Sequence, residues 1–370
     1  MIVTPALPPP AIEQPAPYQA SYGLVTGRAA RGTTRVVVFA NGRLLASKPL
    51  KGRRFSLRVT LPVGDVIVRV TTIARAGRRS SAQVDDVLGL PAGTRPRVVV
   101  PRQDAVLAGK VRSLQRNFVG TSAVYVQSLT GGAGAASNAR ATFPAASTLK
   151  LAIGATVLAA HSGIPPPGSQ VHSLLVSMLT RSDNASANAL EVWLAGSTSA
   201  GSHRVNAFMR SIGLRDSEMY GGYELRTLSS RIPLRVDQQP AYGYGKHTTA
   251  WDMASLLRAI WLASGGLGPL RAEQTGFTAA DGRYLLWLLA HVNDTPKIDR
   301  VLEGNPGVLV MHKAGWVNTA RHDAGLVFWR GGVFVVGVMT WSRRGVGVAA
   351  DALAGRVAAL TLQRFRRIEG

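Results

Sequence analysis

The residues with the clearest chemical potential are Ser147 and Lys150, which open the apolar segment "STLKLAIGATVLAA". The chain has seven lysines and 36 arginines, and of these two residue types only lysine can release its proton when its site is desolvated. On a helix, a spacing of three places both side chains on one face. A neutral amine there could take the hydroxyl proton and make the serine a nucleophile. The alternative is an ordinary helix start whose lysine reaches solvent.

Two further short motifs follow along the chain. "SDN" at 182–184 lies between two apolar-periodic segments, and "KAG" at 313–315 lies in a pattern typical of a buried strand. Taken singly, the first is an ordinary helix N-cap cluster and the second an ordinary strand end. Together with Ser147 and Lys150, they occur in the order of the active-site motifs of serine β-lactamases and penicillin-binding proteins.

The segment 105–370 resembles the class A β-lactamase-like proteins, because it carries these three motifs in order and a strand pair ahead of the first. The resemblance implies that Ser147 is the acylated nucleophile and that Lys150 is its proton partner. It also implies that Ser182 relays a proton to the leaving nitrogen. Lys313 would supply positive charge beside Ser182.

The same resemblance implies a set of substrate contacts. Asn184 would hold the amide side chain of the substrate, and Gly315 would let the substrate backbone approach the strand. The oxyanion would lie between the backbone N–H groups of Ser147 and Trp316. One such donor is typically worth ~3 kcal/mol of the barrier.

Departures from the family pattern concern the substrate and the fate of the acyl-enzyme. Ala314 stands where family members usually offer a hydroxyl to the substrate carboxylate. The spacing of 35 residues from Ser147 to Ser182 is short for the family, which predicts a lower or open wall of the cleft.

The glutamate that activates the deacylating water in class A enzymes has no clear counterpart. Matching "YEL" at 223–225 to the family's loop leaves Gly222 at its position. Glu224 or Glu218 could replace it from a shifted register, and both are equally consistent with solvated loop acids.

Three hypotheses for the activity follow. The first is a class A β-lactamase-type serine hydrolase that acts on β-lactams through an acyl-serine intermediate. The second is a D-alanyl peptide carboxypeptidase or penicillin-binding protein that acts on peptidoglycan stem peptides. The third is a catalytically weak cell-wall-binding module that keeps the fold.

The pattern of elements predicts two folded domains. Residues 1–20 are Pro-rich and are expected to be a disordered leader. Short β-branched runs separated by turn signals over 21–102 predict a small all-β, immunoglobulin-like sandwich. Residues 103–370 are expected to form an α+β (mixed α/β) β-lactamase/transpeptidase-like domain, with an antiparallel sheet and flanking helices.

The end of this second domain shows the clearest strand pattern. "GLVFWRGGVFVVGVMTW" predicts two buried strands joined by a tight turn. The domain is expected to close with a pair of strands over about 309–340. A final helix is predicted in "GVAADALAGRVAALTLQRFRR". No apolar run is long enough to predict a transmembrane span.

Charge and composition constrain the partners. The formal charge of +23 favours attraction to polyanions, including an anionic cell-wall polymer. The arginines are scattered and lack interleaved aromatic residues, so no specific nucleic acid is expected as a partner.

Neither a metal nor a cofactor is expected. The seven histidines lack metal-ligand spacing, cysteine is absent, and no Gly-rich phosphate loop follows a strand. The N-terminus shows no recognisable signal peptide. The family resemblance nevertheless implies a location outside the cytoplasmic membrane.

Overall fold

A computed structural model describes residues 6–223, 245–294, 297–302 and 304–369. The chain divides into two compact units, Met1–Arg95 and Pro96–Gly370. None of the helices in the described part combines the length and apolar character that crossing a bilayer requires.

The first unit is built from two sheets around one core. Its described strands are β1 Ala11–Gln14, β2 Gln19–Ser21, β3 Leu24–Arg28, β4 Thr33–Ala40, β5 Arg43–Pro49, β6 Arg54–Arg58, β7 Gly64–Ala74 and β8 Arg79–Gly89. One sheet has the order β1-β3-β6 and the other the order β2-β8-β7-β4-β5. Alternate apolar residues of both sheets, such as Val25, Leu57, Val68 and Val87, form the core between them, as period-2 patterning requires.

Two predictions about this region are wrong. The expected disordered leader at 1–20 contains β1 and most of β2, because β1 pairs with β3 and Ile12 packs against the core. Proline is compatible with strand ends and sheet edges, so Pro content alone did not exclude strands. The predicted boundary at 102/103 also lies too late. The second unit begins at Pro96, and Arg102 pairs with Ala133 within the sheet of that unit.

The second unit is a mixed α/β domain, as predicted. Its described strands are β9 Arg102–Gln103, β10 Thr121–Ser128, β11 Ala133–Ser137, β12 Phe143–Pro144, β13 His247–Thr248, β14 Leu309–Val317, β15 Ala320–Trp329 and β16 Gly332–Trp341. Its described helices are α1 Ala105–Arg116, α2 Lys150–His161, α3 Gln170–Thr180, α4 Asn184–Ala195, α5 Thr198–Ser211, α6 Ala250–Ser264, α7 Pro269–Glu273, α8 Ala279–Ala290 and α9 Val348–Glu369.

The main sheet of this unit has the order β14-β15-β16-β10-β11-β9. Its strands are antiparallel except for the parallel pair β11–β9. The predicted closing strand pair is in fact three strands, β14 to β16, because the motif strand has its own hairpin partner. The predicted tight turn between β15 and β16 and the predicted final helix are confirmed.

Helices cover both faces of this sheet. On one face, Val126 of β10 and Phe334 of β16 pack in a cluster with Leu107 of α1 and Phe365 of α9. On the other face, Tyr125 meets Trp251 of α6 edge-on, with ring centroids 4.9 Å apart. The strand β14 lies at one edge of this sheet. Its outer edge is therefore not paired with another described strand of the sheet.

Candidate active site

Ser147 lies in a tight turn directly before α2. The amide of Lys150 donates to the carbonyl of Ser147 over 3.2 Å, so the turn keeps the three-residue spacing that the sequence predicted for a helix. Ala146, the preceding residue, has φ of +47°. This left-handed conformation is costly for a residue other than glycine and is often found at functional sites. Ser147 is half-buried, and its hydroxyl lies at the positive end of α2.

The amine of Lys150 is fully buried and has three polar neighbours. Its Nζ lies 3.0 Å from Ser147 Oγ, 2.5 Å from the carbonyl oxygen of Ser182 and 2.6 Å from Asn184 Oδ1. Burial, and then the positive charge of Lys313, lower the pKa of Lys150 to about 6. At neutral pH the amine is therefore mostly uncharged, as a proton acceptor must be.

The Ser-Asp-Asn motif has both a structural and a chemical part. Asp183 is the N-cap of α4, and its carboxylate accepts the Ser186 amide over 2.7 Å. Ser182 has φ of +57°, and this turn directs its carbonyl to Lys150. The N-cap interpretation therefore holds for Asp183, whereas its two neighbours contact the buried amine.

Lys313 of β14 lies on the other side of Ser182. Its Nζ donates to Ser182 Oγ and to the carbonyl of Ala314, each over 3.0 Å. Burial lowers the pKa of Lys313 to about 8, while Asp294 and Asp323 act in the opposite direction. These carboxylates favour the charged form, so Lys313 carries a positive charge near neutral pH.

Gly315 lets β14 approach the nucleophile's turn. A Cβ at this position would lie 2.7 Å from the Ser147 amide nitrogen and 2.8 Å from that of Thr148. The sequence suggested that Gly315 makes room for substrate; the structure shows that it makes room for the turn itself. The next residue, Trp316, has a side chain that is 57% exposed.

A loop residue that sequence analysis missed also faces Lys150. The ring centroid of Tyr223 lies 4.6 Å from Lys150 Nζ and 4.5 Å from Lys246 Nζ. Asn188 holds the backbone of Tyr223, because its side chain donates to the Tyr223 carbonyl over 2.8 Å and accepts the Tyr223 amide over 2.6 Å. A Cβ at Gly222 would instead lie 2.8 Å from Asn188 Oδ1. Residue 223, not residue 222, is therefore the loop position directed at the lysine.

Of the two predicted acids, the structure describes only Glu218, which is not at the site. Glu218 has an exposed side chain, and its backbone pairs with that of His247. Glu224 lies outside the described residues. Burial raises the pKa of Tyr223 well above 10, so its phenol keeps its proton and cannot serve as a base.

Lys246 is a second residue that sequence analysis missed. Its Nζ donates to the carbonyl of Gly222 over 2.6 Å, and burial lowers its pKa to about 8. The scarcity of lysine was a signal that could have found it. No signal of that kind marked Tyr223.

A cavity of about 550 Å³ adjoins Trp316 and is lined by residues including Asn318, Arg321 and Arg344. The guanidinium of Arg321 lies 3.4 Å from the buried carboxylate of Asp351, which fixes its position. Two guanidinium groups beside the end of β14 favour a negatively charged ligand group.

A model of the beta-lactamase enzyme family matches residues 163–365. The match covers more than half of the chain, which therefore belongs to this family. The matched region includes the Ser-Asp-Asn and Lys-Ala-Gly motifs, whereas Ser147 and Lys150 precede it. Their assignment rests on the contacts described above. No curated protein matches the chain.

Solved structures show the same fold at low sequence identity. PBP-A is 19% identical with a TM-score of 0.56, over 73% of this chain and 100% of its own. A class A β-lactamase from Mycobacterium abscessus is 18% identical with a TM-score of 0.54, over 70% and 99%. A variant of PBP-A, solved as an acyl-enzyme complex with penicillin G, is 19% identical with a TM-score of 0.55, over 73% and 100%.

The lowered lysine pKa values can be measured directly. Because the chain has seven lysines, labelling with carbon-13 at Cε allows each amine to be followed by NMR. We expect Lys150 to titrate at about 6 and Lys313 at about 8, and Lys150→Arg and Lys313→Arg will assign the two signals. A Lys150 signal that titrates near the ordinary lysine value of about 10.4 would contradict the neutral amine.

The close approach at Gly315 predicts a steric effect. Gly315→Ala should reduce the free energy of unfolding by roughly 1 to 3 kcal/mol, as overpacking commonly does. Urea unfolding would measure the change. Gly109→Ala is the matched control, because Gly109 is on α1 with open space around it and alanine favours a helix. Equal stability changes in the two variants would show that the contact with the Ser147 turn is unimportant.

Proposed function

We propose that the second unit is a penicillin-reactive acyl-serine enzyme in which Ser147 forms the covalent intermediate. The three contacts of Lys150 Nζ carry this proposal. The Ser182 carbonyl and Asn184 Oδ1 take up the two N–H groups of the neutral amine. Its lone pair then faces the hydroxyl of Ser147, which donates its hydrogen bond to Lys150.

Acylation follows from this arrangement. The hydroxyl proton moves to Lys150 Nζ as Ser147 Oγ attacks the substrate carbonyl carbon. The backbone N–H groups of Ser147 and Trp316 would stabilise the oxyanion, and Lys313 adds positive charge nearby.

Breakdown of the tetrahedral intermediate requires a proton for the leaving nitrogen. As its bond to the carbonyl carbon breaks, this nitrogen takes the proton of the Ser182 hydroxyl. Ser182 regains a proton from the ammonium group of Lys313, which is 3.0 Å away. The lowered pKa of Lys313 makes this return less costly than for an ordinary lysine.

The cavity beside Trp316 is proposed to take the substrate carboxylate. Ala314 supplies no hydroxyl for this purpose and is fully buried. Arg321, held by Asp351, lies in the adjoining strand and lines the cavity. A guanidinium can bind a carboxylate through two hydrogen bonds, so it replaces the missing hydroxyl.

Slow release of the acyl group is the expected outcome. Deacylation requires a base that activates water, and Tyr223 presents a protonated phenol where the loop meets Lys150. We therefore favour a penicillin-binding enzyme on D-alanyl peptides. The acyl-enzyme that a PBP-A variant forms with penicillin G supports a long-lived intermediate in this fold.

Rapid β-lactam hydrolysis, as in class A β-lactamases, is the second candidate. The observation that favours it is Lys246, whose neutral form could act as a base beside Tyr223. A catalytically weak wall-binding module is less consistent with the intact contacts between Ser147 and Lys150.

We also propose that the protein acts outside the cytoplasmic membrane, where peptidoglycan stem peptides occur. For the first unit, an immunoglobulin-like fold remains our proposal. The two packed sheets with alternating inward residues support it.

Acylation is tested by fluorescent penicillin labelling and intact mass. Ser147→Ala should abolish labelling. Lys150→Arg should slow it by roughly 10²- to 10⁴-fold, because arginine stays protonated and cannot take the proton of the Ser147 hydroxyl. Lys110→Arg, on the exposed side of α1, is the matched control and should label normally. Labelling of Ser147→Ala at the normal rate would exclude Ser147 as the nucleophile.

Deacylation is tested at the loop. Tyr223→Glu places a carboxylate opposite Lys150 and should speed release of the penicilloyl group by roughly 10²- to 10⁴-fold. Tyr223→Phe keeps the ring and should leave release slow. Gly222→Glu, whose Cβ would approach Asn188, should not accelerate it. The rate is measured as recovery of free enzyme by intact mass.

Other outcomes of this experiment discriminate between the candidates. Rapid hydrolysis by the unmodified protein that is lost in Lys246→Arg would establish the second candidate. Faster release in Gly222→Glu than in Tyr223→Glu would contradict the assignment of residue 223 as the position facing Lys150.

A further inference from the structure

The basic residues of the first unit gather at one end of its two sheets. Residues 1–95 contain 14 lysines and arginines and four acids, a formal charge of +10. Ten of the 14 lie in three segments, 28–35, 48–54 and 73–79. These segments contain no acidic residue.

Strand direction brings the three segments together. They contain the β3–β4, β5–β6 and β7–β8 connections, which all lie at the same end, because β4 pairs antiparallel with both β5 and β7 and β7 pairs with β8. Register places Pro49, Arg35, Ile73 and Arg79 in one row across four strands. With strands about 4.8 Å apart, the row spans roughly 14 Å.

All ten cationic side chains are exposed. They are Arg28, Arg31, Arg35, Lys48, Lys51, Arg53, Arg54, Arg75, Arg78 and Arg79. Each connection also contains a glycine at positive φ with open space around it, at positions 32, 52 and 77. These tight turns keep the cations close to the sheet ends and to one another.

The acids of this unit do not neutralise the cluster. Asp65, Asp85 and Asp86 lie at the opposite end, where β7 begins and Val66 pairs with Val87. Glu13 pairs with Arg28 at 3.6 Å, and both side chains are more than half exposed. Except for Glu13, the acids of this unit therefore lie at the far end of the strands from the cluster.

The chemistry of the three segments points to the kind of partner. They contain no aromatic residue, so they offer no platform for stacking nucleic-acid bases. None of the large apolar side chains that the described part of the chain exposes lies in them, so they offer nothing to insert into a membrane. Eight of the ten are arginines, whose planar donors match phosphate and carboxylate oxygens.

We propose that this end of the first unit binds a linear polyanion that carries neither bases nor acyl chains. The shared chemistry of such a ligand is a flexible chain of repeated oxyanions, either phosphodiesters or uronate carboxylates. The proposal is independent of the activity assigned to the second unit.

Binding by the full-length protein is measured by fluorescence anisotropy with two end-labelled probes, a glycerol phosphate oligomer and a polygalacturonate oligomer. The test variant carries Arg31→Glu, Lys51→Glu and Arg78→Glu, one change in each connection. The control carries Arg112→Glu, Arg356→Glu and Arg366→Glu, which alter the net charge equally on exposed positions of α1 and α9.

We expect the test variant to lose affinity by on the order of 100-fold and the control by much less. The slope of log affinity against log salt should fall by about 2 in the test variant, because each phosphate contact with a flexible chain contributes about 0.7. The preferred probe distinguishes phosphodiester from uronate. Equal losses in the two variants would show that only net charge acts and would overturn the proposal. The proposal would also be overturned if the protein bound oligothymidylate or phosphatidylglycerol vesicles more tightly than either probe.

Discussion

A lysine amine held without its proton inside the protein is the interaction on which the second unit depends. Burying an amine is unfavourable unless its polar atoms are satisfied, and Lys150 meets this requirement by contacting residues from two further turns. These contacts hold the turn before α2 against the turn before α4, and Lys313 joins the strand β14 to Ser182. Lys313 contributes twice, because it contacts Ser182 directly and its charge lowers the pKa of Lys150.

Under the proposed function, the loop around Tyr223 sets the fate of the acyl-enzyme. Asn188 fixes the backbone of this residue, so the identity of the side chain decides what faces Lys150. A buried phenol is neutral and bulky, whereas a carboxylate in the same place would be a base. Burial lowers the pKa of both lysines beside this ring, and the charge of Lys246 adds to the lowering of the pKa of Lys150.

The two units use their basic residues differently. In the second unit, Lys150 and Lys313 are buried, and their proposed role is to accept and donate individual protons. In the first unit, the ten clustered cations are exposed, and all its acids except Glu13 lie a strand length away from them. Exposed charges of this kind are screened by salt and have little effect on stability, so the role that we propose for the cluster is recognition and not folding.

The sequence by itself determined the order of the three motifs, the Ser147–Lys150 spacing and the pattern of β15 and β16, because side-chain chemistry and hydrophobic periodicity are local properties. It did not determine that the ring of Tyr223 lies beside both Lys150 and Lys246, that Gly315 touches the Ser147 turn, or that ten scattered cations share one end of a sandwich. These depend on distances between residues far apart in the chain, which packing and strand register decide. The same reason explains the errors at 1–20 and at 102/103, where pairing with remote strands outweighed local composition.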